Sequence, residues 1–149
     1  MTFLIYDSLT KKKQKFVPVD ENNVRVYACG PTVYNYAHVG NARMSVVTDL
    51  LIRVLKTIYK NVKFVSNITD VDDKIIEAAK KEKVKIEDIT SKFEKIYNQD
   101  MLELNVRLPD IQPKATEYIK EMIIMIEKLV QNQSAYISND NVIFNVKKY

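Results

Sequence analysis

Two glycines, one cysteine, one histidine, four prolines and no tryptophan occur in 149 residues. Ordinary usage near 7% would supply about ten glycines, so each glycine that remains marks a constraint. One cysteine cannot close an internal disulfide, which agrees with a reducing compartment. The longest unbroken apolar run, residues 122–126, is far below the roughly 20 residues of a membrane span. No charged-then-apolar signal segment opens the chain, and a cytoplasmic protein without a membrane partner is expected. Neither Gly-x-x-x-x-Gly-Lys-Ser/Thr nor Gly-x-Gly-x-x-Gly occurs, so the two usual phosphate loops are excluded. Disorder is excluded too, because 46% of residues are apolar and 28% charged. The net charge of +4, carried mainly by lysine, favours anionic partners only weakly. No basic stripe interleaved with aromatics singles out nucleic acid.

What the chain has, it concentrates. Its only cysteine, its only histidine and both glycines fall within residues 29–40. The segment Val24-Arg-Val-Tyr-Ala-Cys-Gly-Pro-Thr-Val-Tyr-Asn-Tyr-Ala-His-Val-Gly-Asn-Ala-Arg43 passes from β-formers through a Gly-Pro break into a polar, aromatic loop. Glycine is needed where φ is positive or where something approaches the backbone closely. His-x-Gly-Asn at the mouth of a helix suits an anion, since the helix start presents amide N–H groups and partial positive charge. Gly40 would let the backbone approach a nucleotide, and His38 and Asn41 could donate to phosphate or ribose oxygens. By itself the motif fits a histidine that merely caps a helix equally well.

Along the chain, strands are expected over 2–7 and 15–19, joined by a turn over 8–13, and again at Val24–Ala28. Met44, Val47, Leu51, Val54, Leu55 and Ile58 recur at helical spacing over 42–58. A strand over 63–68 then completes a strand–helix–strand crossover, whose two strands must be parallel. A second helix is expected after Thr69, with Thr69-x-x-Asp72 as its capping motif and Asp70, Asp72 and Asp73 at its positive end. Ile86, Ile89, Phe93, Ile96 and Leu104 mark a third helix. Pro113 belongs near the first turn of a fourth, whose stripe is Ala115, Ile119, Met122, Ile123, Ile126 and Val130. A hairpin around Asn139-Asp140 ends the chain. Parallel sheets are covered on both faces and seldom this small, so the front part of something larger is expected.

Two blocks together, Cys29-Gly-Pro-Thr-Val-Tyr-Asn-Tyr-Ala-His-Val-Gly-Asn-Ala-Arg43 and Asn67-Ile-Thr-Asp-Val-Asp-Asp-Lys74, resemble cysteinyl-tRNA synthetases. The resemblance extends through Leu108-Pro-Asp-Ile-Gln-Pro-Lys-Ala-Thr116. It implies an α/β fold: the first half of a Rossmann-type nucleotide-binding domain with parallel central strands over 1–110, and the start of a connective insertion over 111–149. The implied activity is ATP-dependent activation of L-cysteine, with Mg2+, to cysteinyl-adenylate, and its transfer to tRNA(Cys) by an enzyme that is monomeric when whole.

The resemblance also assigns roles. His38-Val-Gly-Asn41 would be the HIGH motif that grips ATP, with His38 and Asn41 catalytic and Gly40 beside them. Its last position is Asn41 and not His, which keeps a donor but removes a cationic role. Gly30, Thr32 and Thr69 would line the cysteine pocket. Cys29 would be one ligand of a zinc ion whose open position takes the substrate thiolate. Zinc prefers a soft thiolate to a hydroxyl, so it would separate cysteine from serine where pocket shape discriminates poorly. The remaining zinc ligands, the Lys-Met-Ser-Lys-Ser loop and the anticodon-binding helices would lie beyond residue 149. Two alternatives stay open: a cysteine ligase of low-molecular-weight thiol biosynthesis, and a truncated, non-catalytic nucleotide- or RNA-binding module.

Overall fold

A computed structural model describes residues 3–149, which form two compact units that divide after Pro113. In the first unit, β1 (Leu4–Asp7) and β2 (Lys12–Lys15) pair antiparallel. The second strand therefore precedes the expected 15–19 stretch, where Pro18 has no amide to donate and Val17 and Val19 are exposed. Residue 2, the start of the first expected strand, lies outside the described residues. The connecting turn is tied by Asp7, whose carboxylate accepts from the Thr10 hydroxyl and from the Leu9 and Thr10 amides. These bonds, the Thr10 hydroxyl foremost, hold its pKa below the ordinary carboxylate value.

β3 (Val24–Ala28), α1 (Val39–Ile58) and β4 (Val62–Ser66) form the expected crossover. β3 and β4 are parallel, with Val24 opposite Val62 and Ala28 opposite Ser66. Residues 110–113 run along the other edge of β4. The amides of Ser66 and Ile68 donate to the carbonyls of Ile111 and Pro113, and the Phe64 amide donates to the Asp110 carboxylate at 2.7 Å. Residues 111–113 thus belong to the first unit. What is present is a parallel pair flanked by one irregular segment, within mixed α/β structure.

The buried face of α1 differs from the expected stripe. Ser45, Asp49, Ile52 and Leu55 are buried, whereas Val47 is 58% exposed. The polar pair is tolerated because Ser45 shares a 2.8 Å hydrogen bond with Tyr97 and Asp49 binds Arg53 at 2.6 Å. α2 (Asp73–Glu82) and α3 (Ile86–Glu103) pack on each other. Asp72 is the N-cap of α2, accepting from the Lys74 amide; Thr69, the expected cap, lies three residues upstream. Val33, Ile68, Ile75, Ala79, Ile89 and Phe93 form one core cluster, and Tyr97, Met101 and Val106 form another against Ala37 and Ala42. Burying each large side chain contributes about 1.5–3 kcal/mol.

The second unit holds a short 3-10 turn (Ala115–Tyr118), α4 (Ile119–Gln131), and the hairpin β5 (Ala135–Ser138) with β6 (Asn141–Phe144). Asn139 and Asp140 both take positive φ, as a two-residue hairpin turn requires. Pro113 precedes the 3-10 turn and is not in the first turn of α4. No residue of α4 is buried, so its expected apolar stripe is not a core face within this unit.

Candidate functional site

The C-terminal ends of β3 and β4 open into loops 29–38 and 67–72, the position where α/β proteins hold ligands. Pairing continues past the strands, but out of step. Between the Ala28–Ser66 pair and the Thr32–Thr69 bridge, four residue steps on one side face three on the other. The extra residue makes a bulge at Cys29-Gly30, a device that re-aims side chains. Cys29 is exposed there, its thiol 3.9 Å from the Gly30 carbonyl; it is no core residue. A Cβ at Gly30 would lie 1.5 Å from the Asn67 carbonyl oxygen, so this glycine serves close approach. Neither glycine has positive φ.

The loop is anchored at both ends before it reaches His38. Val33 sits in the first core cluster, and Ala37 and Ala42 flank His38 on the second. Tyr36 stacks edge-on against Phe93 at 5.4 Å, so it packs, and Tyr34 lies beneath the Lys74 ammonium at 5.5 Å.

His38 caps α1. Its Nδ1 accepts from the Gly40 amide at 3.0 Å, and Asn41 Oδ1 accepts from the His38 amide at 3.1 Å. A Cβ at Gly40 would meet the His38 ring at 2.8 Å, so the missing side chain there makes room for the imidazole. The Gly40 amide is spent on Nδ1, and the Asn41 and Ala42 amides donate to the His38 carbonyl. The helix start therefore offers its dipole more than its N–H groups. Side-chain hydrogen bonds to an anion fall to His38 Nε2 and Asn41 Nδ2, neither of which is spent on the cap.

A cleft of about 410 Å³ brings together Thr32, His38 and Asn41 with Tyr34, Lys74 and Tyr97. Cys29, Gly30, Gly40 and Thr69 are not among its lining residues. Lys74 is the cleft's full positive charge, and no carboxylate lines it, which suits an anionic ligand. Among the described residues no three His, Cys, Asp or Glu side chains gather as a metal site. Cys29 by itself is no metal site.

Asn67 joins the two loops, and no role for it was expected from the sequence. Its Oδ1 accepts from the Gly30 amide at 2.9 Å and the Tyr27 hydroxyl at 2.8 Å, and its Nδ2 donates to Thr69 Oγ1 at 3.0 Å. Position 67 follows β4 directly and opens the second resembling block, the only signal that pointed to it. Lys74, at the block's other end, is a second cleft residue to which the sequence pattern assigns no role.

Residues 15–149 match the family described as tRNA synthetases class I (C) catalytic domain, and the chain belongs to that family. It is 46% identical over 146 residues to the cysteine–tRNA ligase of Ehrlichia ruminantium (strain Gardel), covering 98% of this chain and 32% of that protein. Identity to the cysteine–tRNA ligase of Parvibaculum lavamentivorans is 49% over 145 residues, or 97% of this chain and 31% of the relative. With that of Maricaulis maris it is 49% over 147 residues, or 97% and 32%. The chain thus spans about a third of the length of the curated relatives it matches. No helix among the described residues is long and apolar enough to cross a membrane.

Proposed function

We propose that this chain is the first half of the catalytic domain of a cytoplasmic, monomeric cysteine–tRNA ligase, with residues beyond Pro113 beginning a connective insertion. The observation that carries the reading is the capping arrangement at His38. It commits Nδ1 to the backbone and leaves Nε2, with Asn41 Nδ2, as donors at a cleft that also holds Lys74.

In this reading the cleft binds ATP with Mg2+. The carboxylate of L-cysteine attacks the α-phosphorus, the bond to the bridging oxygen breaks, and pyrophosphate leaves with the electron pair. A ribose hydroxyl at the end of tRNA(Cys) then attacks the acyl carbon and releases AMP. His38 and Asn41 donate to the phosphate oxygens as charge builds, which is catalysis by positioning and neutralisation. Gly30, Thr32 and Thr69 border the cysteine subsite. Zinc, held by Cys29 and by ligands outside these residues, would supply preference for a thiolate over a hydroxyl.

Residues 1–149 alone should give no cysteine-dependent ATP–pyrophosphate exchange above background, while the whole protein should give it. Exchange by the isolated piece would mean that half a site suffices. A silent whole protein would remove the ligase reading.

Cys29→Ser in the whole protein should lower bound zinc, measured by elemental analysis, and raise the KM for cysteine. A hydroxyl is a poor zinc ligand. Normal zinc content with an unchanged KM would leave Cys29 as an exposed thiol without that role.

A further inference from the structure

The Asn67 amide has only one workable orientation. A backbone N–H can only donate, so the group 2.9 Å from the Gly30 amide must be the Asn67 oxygen. The Tyr27 hydroxyl at 2.8 Å then donates to the same atom. The amide nitrogen consequently faces Thr69 Oγ1, 3.0 Å away, and donates to it. Thr69 is thereby an acceptor towards Asn67, and its own hydroxyl hydrogen is left to point elsewhere.

We infer that Asn67 is a positioning residue of the amino-acid subsite. It locks the bulge that carries Cys29, and it fixes the Thr69 hydroxyl as a donor towards an anionic group of the bound amino acid. The inference rests on the ligase reading and goes further in naming the residue that sets the polarity of the subsite. A hydroxyl free to rotate could present either a lone pair or a hydrogen. Once one lone pair is held by Asn67 Nδ2, the hydrogen can no longer point at Asn67 and is turned to the other side of the oxygen, where a ligand can accept it. The bulge explains why a side chain is used: the out-of-step pairing leaves the Gly30 amide without a strand carbonyl opposite it, and an unpaired amide is costly when withdrawn from water. One carboxamide therefore satisfies the bulge and orients the threonine together.

The test uses the whole protein and steady-state ATP–pyrophosphate exchange, varying cysteine and ATP separately. Asn67→Asp keeps the acceptor for Gly30 and Tyr27 but has no donor for Thr69, whose hydrogen then turns onto the carboxylate. The KM for cysteine should rise about tenfold or more, the scale of one lost hydrogen bond to a charged group. The KM for ATP should stay within about twofold. Thr69→Val should produce the same cysteine-specific rise without disturbing the bulge, and Thr69→Ser should restore most of it. In Asn67→Asp/Thr69→Val the two losses should not multiply, since the second substitution removes a hydroxyl already turned away. If Asn67→Asp fails to fold, the Thr69 pair alone decides. An unmoved cysteine KM in Thr69→Val, or equal rises for cysteine and ATP, would overturn the assignment while wild-type exchange leaves the ligase reading intact. Absence of cysteine-dependent exchange in the wild type would remove both.

Discussion

His38→Ala should slow adenylation by on the order of 10²-fold or more, the scale of losing one donor aimed at developing negative charge. The donor in question is Nε2, because Nδ1 is held by the Gly40 amide. An interaction that strengthens in the transition state lowers kcat and kcat/KM together. The same substitution removes the cap of α1, which costs about 1 kcal/mol of stability, so a bare loss of activity would be ambiguous. His38→Asn separates the two effects. Asparagine is a strong N-cap but has no second nitrogen at the reach of Nε2, so stability should return while exchange stays slow. Asn41→Ala should be milder, since it removes one neutral donor and half of the capping box. Zinc content and cysteine binding should survive in all three variants. Untouched exchange in His38→Ala, or loss of zinc, would overturn the placement of ATP at this helix start.

Gly30→Ala should be strongly destabilising, and far more so than Gly40→Ala. The new Cβ would lie 1.5 Å from the Asn67 carbonyl oxygen and 2.7 Å from its carbon. Those atoms are backbone at the end of β4 and cannot swing aside. Overpacking of this kind costs about 3 kcal/mol, a large share of the roughly 5–15 kcal/mol that hold a domain together. The thermal midpoint of the whole protein should fall clearly, and the cysteine KM should rise with it, because the displaced strand end carries Thr69. Gly40→Ala is the contrasting case. Its Cβ would press on the His38 ring, a side chain that can rotate, and alanine favours the helix over glycine by about 1 kcal/mol. Stability should hardly change while exchange slows, because His38 leaves its cap. A Gly30→Ala protein as stable as wild type would contradict the bulge.

The resemblance to cysteinyl-tRNA synthetases was legible in the order of residues alone, through two blocks too long to recur by accident. So were the parallel crossover of Val24–Ala28 with the strand after α1, and the Asn139-Asp140 hairpin. These are local or nearly local matters: β-branched runs, helical spacing and turn residues act over a few positions. The face of α1 was not legible. Apolar residues occur on more than one side of that helix, and only packing against Tyr97 buries Ser45 while leaving Val47 in solvent. The cap of α2 was misplaced for a similar reason, since Thr69 and Asp72 both suit a helix start. Tertiary structure draws Thr69 into pairing with Thr32 and hands the cap to Asp72.

At the candidate site the residue types that gather are legible in the chain's order alone, because glycine, cysteine and histidine occur nowhere outside residues 29–40. That order did not determine what each one does. That the His38 ring packs where a Gly40 side chain would stand, and that His38 engages the Gly40, Asn41 and Ala42 amides, is decided by the fold. Asn67 acts through partners 37 and 40 positions away, brought within reach by strand pairing and a one-residue bulge. Contacts of that range depend on register, and register is a property of two strands together.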